Sequence, residues 1–422
     1  MTPKQFFVIL LACLAVFLPT VVLRFWPYGF DSYYYLNVVC NGAALTKSEP
    51  LLSQAFFSLV PCNVPFLLGI NFFLMLGCCI WASLLGEYFV PKKGWLAGFF
   101  VLASFLFTMS FFSIESEPFA YFLCLAAAWL FYSGKKFKKL FAIALVLVAT
   151  QFWLGSFLMF VAFSLSSLFL LPFSLIGIVW RWREVSGQLL PNFAVMESWP
   201  GYGLFYQGLL MVSFLYLKYL KPIFVPTTFF ILIAFVNMKF AFFAAFFLAI
   251  LAAKQATLKE IGWLRFLPFI GVLFCTCYLW GVAATLPPSV YDVGAVQLAV
   301  QEAHGSVVCN QWGYGHLISF FGGVPSDKAG GQQLCTSCKD CVMLTFEEQP
   351  ACRLLMGEAE NALQVKVYRC FLPFFTAKHN KDALPSYFLR GLSQYGLLHF
   401  GQTLGVSCEL RGTQTCLHRS HL

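Results

Sequence analysis

Up to about residue 285 the chain alternates long apolar runs with short polar breaks, and beyond that point the pattern changes. Apolar runs of about 17–25 residues span a bilayer as helices, because every backbone N–H and C=O must then be satisfied inside the segment. The runs predicted to cross are 6–23, 64–88, 95–113, 118–133, a compressed block 140–180, and then 204–219, 222–237, 240–253 and 263–285. The block 140–180 is too long for one crossing and too short for three, so a short helix and a re-entrant pair turning at Gln151-Phe152-Trp153-Leu154-Gly155 are expected there. The sum is about eleven crossings, within a range of roughly nine to thirteen. The first run follows Lys4 and ends at Arg24 with no small-residue cleavage pattern, so it is read as a membrane helix and not as a signal peptide.

Past the last run, Pro287-Pro288 breaks the helix and polar residues, Gly and His rise. The expected organisation is a transmembrane domain over 1–285 and a second, extracytoplasmic domain over 286–422, long enough for its own core. Val307-Val308 and Val365-Lys366-Val367-Tyr368 read as strands between helical stretches, giving a small mixed α/β domain.

Composition strengthens the membrane reading. Hydrophobic residues make up 60% of the chain and charged residues 11%, with a mean hydropathy of +0.77, whereas charged residues are roughly a quarter of a soluble domain. A net charge of +9 suggests nucleic acid in a soluble protein. Here the basic residues stand between apolar runs and report topology, so no nucleic-acid partner is expected. Lys92-Lys93, Lys135-Lys136 with Lys138-Lys139, Lys218 with Lys221, and Lys254 with Lys259 occupy alternate breaks, which the positive-inside rule makes cytoplasmic. Asp31, Glu115, Glu117, Lys239, the stretch 181–203 and the tail then share the extracytoplasmic face, against the preference of Arg181 and Arg183.

Of 16 cysteines, Cys13, Cys40, Cys62, Cys78, Cys79, Cys124, Cys275 and Cys277 lie in or beside membrane segments and read as small apolar filler. Cys309, Cys335, Cys338, Cys341, Cys352, Cys370, Cys408 and Cys416 lie in the tail. On an oxidising face they suggest disulfides, with Cys335-x-x-Cys338-x-x-Cys341 as a zinc or iron–sulfur alternative.

Ionisable groups at the edge of a bilayer are costly and are usually kept for function. Glu115-Ser116-Glu117 lodges two carboxylates between two apolar runs, Asp31 follows the first run, and Glu197 stands in Val195-Met196-Glu197-Ser198. Singly, each is as well explained as a loop acid or helix cap. Together, hard oxygen ligands on one face suit Mg²⁺ or Mn²⁺, and the i, i+2 spacing lets two carboxylates reach one ion.

An acid in the first outer loop, an acid-x-acid motif between the third and fourth helices and a later Ala194-Val195-Met196-Glu197 loop resemble the catalytic subunit of oligosaccharyltransferase, of the archaeal single-chain kind. Asn237-Met238-Lys239-Phe240-Ala241-Phe242-Phe243 is similar to that family's Arg-Phe-Ala-aromatic opening of a late helix, with Lys239 in the arginine's place. Asn310-Gln311-Trp312-Gly313-Tyr314-Gly315-His316 resembles the Trp-Trp-Asp-Tyr-Gly-His motif that opens the outer domain, and Leu384-Pro385-Ser386-Tyr387-Phe388-Leu389-Arg390 is a weaker echo of the Ser-x-x-Tyr-Arg-Leu stretch. The resemblance implies Asp31, Glu115 and Glu117 as metal ligands, Asp31 and Glu197 as the groups that orient the acceptor amide, and Lys239 on the lipid-linked phosphate. It further implies Glu197, Gln311, Trp312 and Tyr314 at the acceptor, a lipid-linked oligosaccharide donor, an acceptor polypeptide, and a place in the cell membrane or an ER-type membrane. Gln311-Trp312-Gly313 departs from Trp-Trp-Asp, which removes partners for an acceptor hydroxyl and with them strict Asn-x-Ser/Thr selection. That departure favours a second reading, transfer of a single sugar from a polyprenyl monophosphate to a non-sequon acceptor. A cation-binding transporter is the reading from another class, but no repeated halves or paired broken helices accompany it.

Overall fold

The computed structural model describes residues 1–24, 26–43, 50–134, 136–167, 204, 207–283, 288, 290–310, 312–325, 342–346 and 363–367. Among these, four helices are long and apolar enough to cross a membrane, Pro3–Val22, Val64–Phe89, Met238–Gln255 and Gly262–Gly281, or five if the bent pair Gly208–Tyr219 and Lys221–Val236 is one span. The protein is thus mostly helical and built for a membrane, with fewer full-length spans among the described residues than the eleven expected.

The difference has local causes. Helix α1 (Pro3–Pro19) and the π-turn Thr20–Arg24 fill the first run, and the short helices α2 (Asp31–Asn41) and α3 (Leu51–Leu59) follow in what the apolar pattern read as loop. After α4 (Val64–Phe89), the run expected as one span over 95–113 is instead α5 (Leu96–Phe100), a 3₁₀ turn and α6 (Phe105–Met109). The break is Ser104, which leaves helical geometry to cap α6, its hydroxyl accepting the N–H of Phe107 at 3.3 Å. Helices α7 (Glu117–Ser133) and α8 (Lys136–Ala149) form a hairpin. The chain then turns at Gln151–Gly155, where a turn was expected, into a 3₁₀ turn and α9 (Phe157–Ser166). The 3₁₀ helix Gly208–Tyr219 meets α10 (Phe224–Val236) across a 120° bend.

Helix α11 (Ala241–Gln255) is the axis of the bundle: every residue except Lys254 is buried. A helix apolar on all sides is an interior helix, and α5, α10 and the 208–219 segment cover it. Helix α12 (Leu267–Val282) lies at the edge and donates Trp280 Nε1 to the carbonyl of Ala15 in α1 at 2.9 Å. Apolar side chains remain exposed on α1, α4, α8 and α12, among them Phe7, Phe73, Phe141 and Phe274, as a lipid-facing surface requires.

The lysine clusters lie at the helix ends away from Glu117. Glu117 opens α7 and Lys136, Lys138 and Lys139 follow its close, a separation of about 25 Å at ~1.5 Å per residue. Lys239 precedes α11 and Lys254 sits in its last turn.

In the tail, α13 (Val290–Ala303) and α14 (Trp312–Phe320) accompany four strands, β1 (Val307–Cys309), β2 (Val324–Pro325), β3 (Val342–Phe346) and β4 (Leu363–Val367). All pairings are parallel, in the order β2-β1-β3-β4. The two stretches read as strands from their valines are β1 and β4. Helix α14 docks on α2: Asn37 Nδ2 donates to the carbonyl of His316 at 2.7 Å, Phe30 meets Tyr314 with ring centroids 4.6 Å apart, and Tyr34 meets His316 at 5.2 Å.

One cysteine expectation is corrected. Cys40 and Cys62 are disulfide-bonded, tying the end of α2 to the approach to α4, because both lie outside the apolar runs where a thiol is filler. Cys13, Cys78, Cys79, Cys124 and Cys275 are free and buried, as filler would be. The cysteines from Cys335 onward, and the stretch 384–390, lie outside the described residues.

Candidate functional site

Three chain-distant segments meet at the end of the bundle away from the lysine clusters: 28–35, 113–117 and 237–240. The first contact is backbone. Tyr28 N–H donates to the carbonyl of Phe112 at 2.8 Å, and Tyr28 and Ser113 form a parallel β-bridge. Gly29 turns the chain there at a φ of +80°, and a Cβ at this position would lie 3.3 Å from Glu115 Oε1. Only a residue without a side chain takes that backbone freely and leaves room for the carboxylate.

Along 113–118 the side chains alternate. Ser113, Ile114, Ser116 and Pro118 are buried, while Glu115 and Glu117 are half-buried. Glu117 is also the first residue of α7, where a carboxylate faces the positive end of the helix dipole.

Lys239 is placed by Asn237, whose side-chain carbonyl accepts the Lys239 N–H at 2.9 Å. The ammonium Nζ lies 3.9 Å from Glu117 Oε1, with Lys239 37% and Glu117 14% exposed. Beneath the pair, Tyr121 of α7 stacks on Phe242 of α11 at 3.7 Å, and Trp153 packs on Phe240 and Tyr121 at 5.6 and 5.4 Å. The aromatic residues after Lys239 therefore fix the starts of the two helices that carry the pair.

Of the residues expected at a site, the structure brings together Glu117 and Lys239 directly, and Glu115 with the turn that leads into Asp31, itself exposed. Tyr314 is buried against Phe30 on the tail side of that turn. Trp312 opens α14. Glu197 and Gln311 lie outside the described residues. Metal binding is not shown: among the described residues no three His, Cys, Asp or Glu side chains are grouped so as to hold an ion, and Glu117 faces Lys239 instead.

Sequence reasoning missed the polar residues that hold this region. Ser32, Tyr35, Asn71 and Asn237 are all buried. Asn71 carried a signal, since an asparagine inside the apolar run 64–88 needs a partner at that depth. Ser32 and Tyr35 had only their nearness to Asp31.

No family model matches the sequence, and no curated protein matches it. Among solved structures the chain is similar to the crystal structure of the Archaeoglobus fulgidus oligosaccharyltransferase tethered with an acceptor peptide containing the NVT sequon via a disulfide bond, at a TM-score of 0.47 and 12% identity over 77% of this chain. The chain spans 64% of that protein's length, and at this identity and TM-score the likeness carries no functional inference.

Proposed function

We propose that this protein is a membrane glycosyltransferase that moves a glycan from a polyprenyl (pyro)phosphate carrier to a polypeptide asparagine on the extracytoplasmic face. The observation that carries the reading is the 3.9 Å approach of Lys239 to Glu117 beside the Gly29 turn, where a Cβ would lie 3.3 Å from Glu115 Oε1. Three segments named from the motif order thereby fall at one end of the bundle. Two further features support the orientation. The lysine clusters lie at the other helix ends, and the Cys40–Cys62 disulfide belongs to an oxidising compartment.

Lys239 is a half-exposed cation at the opening of α11. It is suited to the negative charge that develops on a departing lipid phosphate, and stabilisation of that kind is often the largest catalytic contribution. Asp31, exposed at the start of α2, would accept a hydrogen bond from the acceptor carboxamide together with Glu197. Both hold the nitrogen for attack opposite the leaving group, with inversion and no covalent enzyme intermediate. Trp312 and Tyr314, with Gln311, would line the acceptor side. The oxygens of Asp31, Glu115 and Glu117 are chemically right for Mg²⁺ or Mn²⁺. They are not grouped to hold an ion among the described residues. The single-sugar alternative draws its support from Gly313, which supplies no carboxylate to an acceptor hydroxyl.

The test uses purified full-length protein with lipid-linked oligosaccharide and an Asn-x-Thr peptide, reading glycopeptide by mass spectrometry. Transfer is expected, and Lys239→Met is expected to lose on the order of 10²-fold in kcat, as removal of one charge-stabilising donor does elsewhere. Absence of transfer with this donor, but transfer from a polyprenyl monophosphate sugar, selects the alternative. Undiminished turnover in Lys239→Met sinks the assignment of the site.

A further inference from the structure

Residues 113, 114 and 116 are each gripped by a side chain from another part of the chain, and the positions left between and after them, 115 and 117, are the two carboxylates. Ser32 Oγ accepts the N–H of Ile114 at 2.8 Å while donating to the carbonyl of Tyr28 at 2.5 Å. Asn71 Nδ2 donates to the carbonyl of Ser113. The Tyr35 hydroxyl meets Ser116 Oγ at 3.3 Å. Ser32 is fully buried, and Asn71, Ser113, Ser116 and Tyr35 are nearly so.

We infer that Ser32, Asn71 and Tyr35 are positioning residues for the proposed transfer: they fix the backbone of 113–116 so that Glu115 and Glu117 are presented at the site in one register. The inference rests on the functional reading above and adds residues to it. The geometry argues for positioning over general packing. The three side chains come from two helices distant in the chain, Ser32 and Tyr35 from α2 and Asn71 from α4, and all three end on one four-residue stretch. Ser32 also bonds both sides of the seam, so the hydroxyl next to Asp31 in sequence sets the distance between the Asp31 turn and the Glu115 segment. A buried N–H that loses its acceptor finds no water in its place, so the segment must shift to recover a partner, and the carboxylates shift with it.

The experiment has two arms on full-length Ser32→Ala, Ser32→Thr and Asn71→Leu in detergent or nanodiscs. Hydrogen exchange over 110–118 reads the grip without requiring activity. Ser32→Ala and Asn71→Leu are expected to speed exchange there at least tenfold, with exchange in 241–255 unchanged, and Ser32→Thr, which returns the hydroxyl, to restore protection. Transfer kinetics read the consequence. Ser32→Ala is expected to lose at least tenfold in kcat with the acceptor KM within twofold of the unaltered protein, and Ser32→Thr to recover most of it. A merely structural role would lower the active fraction and the exchange protection of the whole bundle alike. Unchanged exchange over 110–118 overturns the grip, and unchanged kcat in an otherwise active protein overturns the positioning role. An unaltered protein that transfers nothing overturns the functional reading, and the exchange arm still decides the grip.

Discussion

Replacing Asn37 by Ala tests whether the tail helix α14 is held by side-chain amides of α2. Asn37 is 6% exposed. Its Nδ2 donates to the carbonyls of Tyr33 at 2.8 Å and His316 at 2.7 Å, and its Oδ1 accepts from Asn41 Nδ2 at 2.9 Å. Asn41 in turn reaches the carbonyls of Ser319 and Phe320 at 3.3 Å, among the last carbonyls of α14, which have no partner within the helix. The Asn37→Ala change removes the short bond to His316 and the bond that orients Asn41. At about 1 kcal/mol net for each, with a further penalty for a carbonyl left dry, detachment of α14 becomes easier by about 2 to 3 kcal/mol. Hydrogen exchange over Trp312–Phe320 should therefore speed roughly 30- to 150-fold, at about tenfold per 1.4 kcal/mol. Asn41→Ala loses its part-buried 2.9 Å bond to Asn37 Oδ1 and two exposed 3.3 Å bonds that water can replace, but leaves the bond to His316 in place, and should change exchange by no more than about fivefold. Equal effects of the two variants, or no effect of Asn37→Ala, would show that the aromatic contacts Phe30–Tyr314 and Tyr33–Phe320 alone hold the helix.

Three other changes follow from single contacts. Gly29→Ala forces a side chain into the left-handed region, at a cost of about 1–2 kcal/mol, and sets a methyl 3.3 Å from Glu115 Oε1; a small fall in melting temperature with a much larger fall in transfer is expected, and proportionate losses would refute it. Glu87→Ala takes the acceptor from the N–H groups of Lys92 and Trp95, at 3.1 and 3.2 Å, and should destabilise the α4–α5 turn by about 1 kcal/mol without altering KM for either substrate. Cys40→Ser opens a bridge across a sequence separation of 22, which the chain-entropy relation puts at about 3 kcal/mol. Its melting temperature should fall to that of the reduced unaltered protein, and a variant still sensitive to reductant would point to another disulfide.

The legible part of the fold was the part where length and apolarity alone decide. Helices α1, α4, α11 and α12 fall within or close to the predicted runs because a bilayer span needs only an uninterrupted apolar stretch. Helices α2 and α3 were invisible for the converse reason: at 11 and 9 residues they are too short to stand alone. They are held by tertiary contacts such as Tyr35 on Phe57 at 4.4 Å and α14 on α2, which no local pattern encodes. The Cys40–Cys62 bridge did leave a trace. Both cysteines lie between the runs 6–23 and 64–88 and outside either one, so reading them as filler extended that argument past the segments it holds for.

The acids were legible because charge at a membrane edge is costly wherever it occurs, and Lys239 sharpens that argument. It precedes α11, so its ammonium stands at the positive end of a helix dipole, an arrangement unfavourable by roughly 0.3–1 kcal/mol. A lysine that only snorkels gains nothing from that end of a helix over the other. The described partner, Glu117, lies at 3.9 Å with Lys239 more than a third exposed, and a pair so open to solvent contributes little. An ammonium held at the positive end of a helix and still open to solvent is placed to receive an anion from outside the bundle, and a phosphate carried in by a lipid is the anion that the proposed reaction supplies.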